Sequence, residues 1–234
     1  MSKAVVPISG GLDSSVILGH AAKQHDTVYA ITYDYGQKHN KELLCAGIQV
    51  DNFNSKYNNI EEHKVVDIQF LKYLAPTSSL TNDNIKVAQA RDVLGDAQPV
   101  NYVPFRNMMM LSIACSYAEA VGADIVYHGS ALVDSQAGYW DGSVEFLENI
   151  NNLTALNRKN RIKIEAPLIK ASKKEIIIKG LYARVKFEDT WTCYEGRELA
   201  CGYCTACSSR IKGFLDNDMK DPIEYERTDI PWRI

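Results

Sequence analysis

Between Val5 and Leu18 the chain reads VVPISGGLDSSVIL. The opening run, AVVPI, is β-branched and brief, so it reads as a buried strand; SSVILGHAAKQ then reads as a helix. The turn between them, SGGLD, is built to hold an anion. Gly10 and Gly11 let the backbone come close to a bulky group. The helix that follows points unpaired N–H groups, and the positive end of its dipole, at the turn. Ser9, Ser14 and Ser15 add hydroxyl donors. Neither the G-x-x-x-x-G-K-[ST] loop nor the G-x-G-x-x-G fingerprint is present. Asp13 beside a phosphate would be repelled unless a cation lay between them, so Mg2+ bridging Asp13 to phosphate oxygens is expected. The alternative is an ordinary strand-to-helix turn with Asp13 as the helix cap.

Downstream the pattern repeats. TVYAITYDYG (27–36) reads as a second strand, NKELLCAGIQV as a helix and HKVVDI as a third strand. That rhythm implies a parallel sheet with right-handed crossovers, and ligands beyond the carboxyl ends of its strands. Residues 75–100 are polar and read as a mobile loop near the site. FRNMMMLSIACSYAEAVG (105–122) reads as a long helix, its three methionines as core filler. ADIVYHGS and IKIEAPLI read as further strands, VEFLENINNLTAL and SKKEIIIKGLYA as further helices. The expected class is α/β: a parallel-sheet, Rossmann-like domain over residues 1–185, with a small metal-binding segment, 186–234, packed on it.

That segment holds four of the six cysteines. Cys193, Cys201, Cys204 and Cys207 have the spacing C-x7-C-x2-C-x2-C. Clustered thiols in a reducing compartment favour metal over disulfides. Four thiolates closing a tetrahedron describe a structural Zn2+ site, with an iron–sulfur cluster as the alternative. Cys45 and Cys115 lie on apolar helix faces and read as small core residues. No run is long enough to span a membrane, and no secretion signal opens the chain, so a cytoplasmic protein is expected. A net charge of −3 argues against a broad nucleic-acid footprint.

Loop and tail together carry a resemblance. SGGLDSS is similar to the S-G-G-x-D-S signature of PP-loop ATP pyrophosphatases. TYDYGQKHNKE resembles the Y-G-Q-x-H segment of the QueC family, YVPFRNMMMLSIACSYAEAVGAD its V-P-x-R-N and A-E-x-x-G-A ends, and EAPLI with KKEI its P-L and K-x-E-I elements. TWTCYEG and CGYCTACSSR resemble its T-W-S-C-Y and C-G-x-C-x-x-C-x-x-R ending. The likeness spans nearly the whole chain. One stretch departs: where the family carries Y-P-D-C-R, this chain has Tyr139, Trp140, Asp141, Gly142 and Ser143.

The resemblance implies an ATP-dependent ligase that joins ammonia to 7-carboxy-7-deazaguanine and ends at the nitrile, through an adenylated acid and an adenylated amide. It assigns ATP to Ile8, Ser9, Gly10, Gly11, Leu12, Asp13, Ser14, Ser15, Val16, Ile17 and Leu18, with Tyr35 and Gln37 near the nucleotide or substrate. Asp13, Ser14 and Arg106 are the catalytic candidates, and Asn107 begins a helix beside Arg106. Asp134, Tyr139 and Asp141 are candidates for the ring substrate. Lys163, Lys170 and Lys173 could balance pyrophosphate charge, although a solvated helix face fits most of them. His39 and His128 could move protons near neutral pH. A homodimer using ATP, Mg2+ and Zn2+, with small-molecule partners and no stable nucleic acid, is expected. Other readings are a reaction that halts at the amide, a PP-loop tRNA-modifying enzyme, and a nucleotide-binding module without catalysis.

Overall fold

The structure, a computed structural model, describes residues 1–89, 98–227 and 229. Its elements run β1 (Lys3–Pro7), α1 (Leu12–Gln24), β2 (Thr27–Asp34), α2 (Lys41–Tyr57), β3 (Ile60–Asp67), α3 (Leu71–Leu74), α4 (Arg106–Val121), β4 (Ile125–Tyr127), α5 (Leu132–Gln136), α6 (Val144–Thr154), β5 (Lys163–Glu165), α7 (Lys173–Ala183) and α8 (Thr205–Leu215). All five strands pair in parallel, in the order β3-β2-β1-β4-β5.

The strand order decides where a ligand can sit. From β1 the chain winds outward through β2 to β3, then crosses back to add β4 and β5 on the other side. The crossovers therefore diverge between β1 and β4, and a crevice opens beyond their carboxyl ends. The anion-holding turn after β1 lies at that crevice.

Alternation along the strands feeds two cores. Ala4, Val6, Val28 and Ala30 face α1, α7 and α8. Val5, Ile31 and Tyr33 face the opposite way, toward Leu111, Ala114 and Ile150 of α4 and α6. Successive side chains on a strand point to opposite faces, so these runs of consecutive apolar residues serve both layers. Two local signals close the helices. Ser172 and Glu175 form a capping box on α7, with Ser172 Oγ accepting from Glu175 N and Glu175 Oε2 from Ser172 N. Gly122, at φ 68°, ends α4 in the left-handed region.

Two expectations need correction. The described part of 75–100 is no loose polar loop, because Ser78, Ser79, Leu80 and Thr81 are buried. Its backbone is satisfied: Ser79 N donates to Val100 O, Leu80 O accepts from Lys38 N, and Leu80 N donates to Ser78 Oγ. Residues 90–97 of that stretch lie outside the described residues. Of the three methionines, Met108 is exposed, while Met109 and Met110 pack partly buried against the second core. A helix lying on a sheet has an outer face, and three consecutive residues cannot all avoid it.

The C-terminal segment is stitched to the sheet domain. Phe214 of α8 joins the first core and meets Phe187 edge-on at 5.4 Å. Trp191 N donates to Gly10 O, and Lys41 sits over the Trp191 ring. Among the described residues no helix is long and apolar enough to cross a membrane.

Candidate active site

A cavity of about 280 Å³ opens at the crevice. That is the lower edge of the range for small-molecule sites. Its walls come from five places: the β1–α1 turn, the end of β2 with the start of α2, the first turns of α4, the stretch after β4, and Thr192 with Tyr194 of the C-terminal segment.

The β1–α1 turn supplies Ile8, Ser9, Gly11, Leu12, Asp13 and Ser14. Gly11 occupies the N-cap position of α1 without a side-chain cap, so the helix's first N–H groups remain available to an anion. The hydroxyls serve one another: Ser9 Oγ and Ser14 Oγ are 3.0 Å apart, and Gly11 N donates to Ser9 Oγ. Gly10 has φ 82°, and a Cβ there would lie 2.2 Å from Glu42 O. Only glycine lets the turn press against α2. The rest of the expected nucleotide stretch faces elsewhere. Val16, Ile17 and Leu18 fill the first core, and buried Ser15 turns its hydroxyl back to Gly11 O at 2.8 Å.

Asp13 does not cap its helix. Both its oxygens are taken by Lys173 Nζ, at 2.7 and 2.6 Å. Lys173 is 12% exposed in its side chain, so it lies on no solvated helix face. Lys163 pairs with Glu165 on the surface, and Lys170 is exposed. Of the three candidate lysines, only Lys173 reaches this turn.

Opposite, Tyr35 and Gln37 line the cavity. Gln37 braces the bend after β2, accepting from Tyr35 N and donating to Tyr33 O. Arg106 Nη1 donates to the Tyr35 hydroxyl at 3.1 Å. Burial opposes the Arg106 charge, but its acidic surroundings more than offset that and the guanidinium stays cationic. Burial pushes the Tyr35 phenol above its ordinary range, so it stays protonated.

The three ring-substrate candidates separate. Asp134 lines the cavity and accepts from Ala131 N at 2.7 Å. Burial, then the charges of Asp13 and Asp141, push its carboxyl up to about 6. Asp141 is buried behind the wall, where it bonds the Asn107 backbone and faces Arg106; burial raises it. Tyr139 turns its hydroxyl to Asn101 Oδ1 at 2.7 Å. Gly142 belongs to the same turn, and its Cβ would lie 2.7 Å from Asp134 Cβ. The cysteine of the family pattern would not fit this arrangement unchanged.

Four further residues line the wall, Glu42, Ser130, Thr192 and Tyr194, of which Glu42, Thr192 and Tyr194 lie in stretches that carry the family resemblance. Glu42 Oε2 lies 3.1 Å from His39 Nε2. His128 Nε2 lies at Ser130 Oγ and 3.1 Å from Asp141 O. Burial drives the His128 imidazole down to about 4, so it is neutral at physiological pH.

Beside this cavity the four clustered cysteines form a second site. The Sγ atoms of Cys193, Cys201, Cys204 and Cys207 lie within 4.8 Å of one another, all buried. Cys201 and Cys207 sulfurs are 3.9 Å apart, far beyond a disulfide bond. A tetrahedron with metal–sulfur bonds of about 2.3 Å has edges of about 3.8 Å. Backbone N–H groups of Glu195, Cys201, Tyr203, Cys204 and Cys207 aim at the sulfurs. Such donors suit thiolates, so the set fits a metal ion. Thr192 and Tyr194 flank Cys193 and line the cavity, so the knuckle supplies part of its wall.

The profile described as "Queuosine biosynthesis protein QueC" matches residues 3–218. The chain is 40% identical over 229 residues to the 7-cyano-7-deazaguanine synthase of Psychromonas ingrahamii, covering 97% of this chain and 100% of that one. It is 40% identical over 237 residues to the synthase of Clostridium kluyveri, covering 97% and 99%. Among solved structures, an NMN synthetase from Francisella tularensis superposes with a TM-score of 0.53 over 94% of this chain and 78% of that one. At 17% identity the match speaks to the fold alone.

Proposed function

The chain belongs to the QueC family, and from that membership we propose that it is a 7-cyano-7-deazaguanine synthase. It would convert 7-carboxy-7-deazaguanine and ammonia to the nitrile while cleaving ATP to AMP and pyrophosphate. The observation that most supports the reading is the Ser9–Ser14 turn at the crevice, with cationic Lys173 and Arg106 on either side.

The chemistry explains why such a site is needed. A carboxylate is a poor acyl donor because oxide is its leaving group. Attack of its oxygen on the α phosphate expels pyrophosphate and converts the leaving group to AMP. Ammonia then gives the amide. The amide oxygen attacks a second ATP in the same way, and loss of AMP leaves C≡N. Both rounds concentrate negative charge at the α phosphate, and fixed donors and cations lower that barrier most. We assign the phosphates to the N–H groups of the turn and to the hydroxyls of Ser9 and Ser14, which exchange their mutual bond for phosphate oxygens. Arg106 faces the opposite side of the cavity. The half-buried Asp134 carboxylate suits the N–H groups of the purine-like ring.

Mg2+ prefers hard oxygen donors, and Asp13 provides them. Holding Mg2+ there requires Lys173 to turn from Asp13 to the phosphates. The four thiolates fit Zn2+ as a structural ion, which would knit the tail to the cavity wall. We further propose a homodimer, which sedimentation would test.

Mass spectrometry of the product after incubation with ATP, ammonium and 7-carboxy-7-deazaguanine is the decisive measurement. The nitrile is expected. Acid recovered unchanged would remove the named substrate. An amide end point would place the change in the altered stretch around Trp140 and Gly142.

A further inference from the structure

We infer that His39, oriented by Glu42, takes the proton from the nitrogen nucleophile during amide formation. The inference rests on the adenylation reading above.

Both candidate histidines line the cavity, and the structure separates them. His128 has its Nε2 engaged by Ser130 and by the Asp141 carbonyl. His39 is arranged differently. Its Nε2 lies 3.1 Å from Glu42 Oε2, so the carboxylate fixes the proton on that nitrogen. Its Nδ1 is buried and has no hydrogen-bond partner. In this tautomer Nδ1 carries a free lone pair. A 1% exposed imidazole with one nitrogen clamped and the other orphaned needs an explanation. A substrate proton supplies it.

The surroundings suit the step. Tyr35, at the end of β2, and Tyr194, from the C-terminal segment, pack their rings on His39. Glu42 faces it from α2, and Arg106 of α4 stands behind Tyr35. Glu42 also overlooks the phosphate turn, since its Oε1 is 3.8 Å from where a Gly11 Cβ would lie. The pair therefore borders the same cavity as the turn that would hold the adenylate.

The step balances without another reactant. Ammonia forms the C–N bond to the acyl carbon. The C–O bond to AMP breaks, and its electron pair leaves on the AMP oxygen. The nitrogen, cationic after attack, gives one proton to His39 Nδ1. Glu42 stabilises the imidazolium, as a carboxylate does behind a catalytic histidine. The amide and AMP remain, and bulk water later takes the proton from His39.

The test separates the two half-reactions in the full-length, metal-loaded protein. ATP–pyrophosphate exchange driven by the acid alone reads adenylation. Ammonium-dependent amide formation reads the proton transfer. His39→Gln should keep exchange while amide formation falls by about 10²–10⁴-fold. Glu42→Gln should fall less in the same assay. Hydroxylamine, a stronger nucleophile, should still trap the adenylate as hydroxamate in His39→Gln. Undiminished amide formation in His39→Gln would overturn the assignment. So would parallel loss of exchange and amide formation, which marks a structural residue. If His39→Gln does not fold, Glu42→Gln carries the test with the same readouts. Wild-type protein without any exchange would sink the adenylation reading itself, and this inference with it.

Discussion

The phosphate turn and the cysteine knuckle meet at Trp191, whose N–H bonds Gly10 O, yet they are held in opposite ways. The turn is supported from behind by the first core and kept in shape by its own backbone and hydroxyls. The knuckle lies in a small cluster in which four of ten buried residues are the cysteines themselves. It substitutes polar anchors for a large apolar core. Buried Arg210 is the clearest: it binds Asp221 through two bonds, 2.7 and 2.9 Å, and also reaches Thr190 and the Phe187 carbonyl. A region made by backbone geometry can form from local sequence. A region held by clustered thiols and a buried ion pair forms only when side chains from several separate turns arrive together.

Removing metal should give the largest effect. Structural zinc contributes an apparent ~10–16 kcal/mol in small metal-dependent units, so chelation or Cys204→Ser should unfold the C-terminal segment. Limited proteolysis after residue 185 and metal content would report it. If the segment resists proteolysis without metal, the contrast between the two regions fails. Next comes Arg210→Ala, which strands Asp221 in the interior. A loss of about 3–5 kcal/mol is expected by chemical denaturation, with Arg210→Met together with Asp221→Leu recovering much of it.

On the turn side the effect should be catalytic. Asp13→Asn breaks the Lys173 pair and is expected to lower kcat by about 10²–10³-fold, or ~2.7–4 kcal/mol of barrier, with little change in thermal stability. A large fall in Tm would instead show that the turn, like the knuckle, depends on its ion pair.

The smallest effect concerns Asp134. Its carboxyl titrates at about 6 in the fold against 3.8 ordinarily. Between those values the folded chain holds the proton more tightly, so its stability falls as pH rises through the window and the penalty is constant above it. Asp134→Asn keeps the bond from Ala131 and should raise stability at pH 7.5 by about 1–2 kcal/mol, after discounting for partial exposure. The gain should vanish near pH 4, as read from paired melting curves.

Much of this was legible in the chain. Runs such as Ala4–Val6 and Val28–Ile31 are apolar at consecutive positions, which only a strand covered on both faces explains. Gly10 and Gly11 between strand and helix mark a tight turn that leaves helix N–H groups open, because the required backbone geometry is local. The cysteine spacing names its own chemistry. Other features were hidden. Ser78–Thr81 read as a polar loop, because composition does not show that its backbone finds partners across the fold. Lys173 opens the KKEI element and Lys170 stands outside it, yet nothing in that element shows that its lysine meets Asp13, 160 residues away.

Local sequence therefore determined the strand-turn-helix unit, the parallel rhythm and the ligand set of the knuckle, because each depends on neighbouring dihedrals or short spacings. Tertiary structure alone decided that Lys173 claims Asp13, that Arg106 reaches the Tyr35 hydroxyl, and that Tyr194 brings the knuckle to the cavity wall. Those pairings join residues from different crossovers, and only the strand order β3-β2-β1-β4-β5 brings them to one end of the sheet.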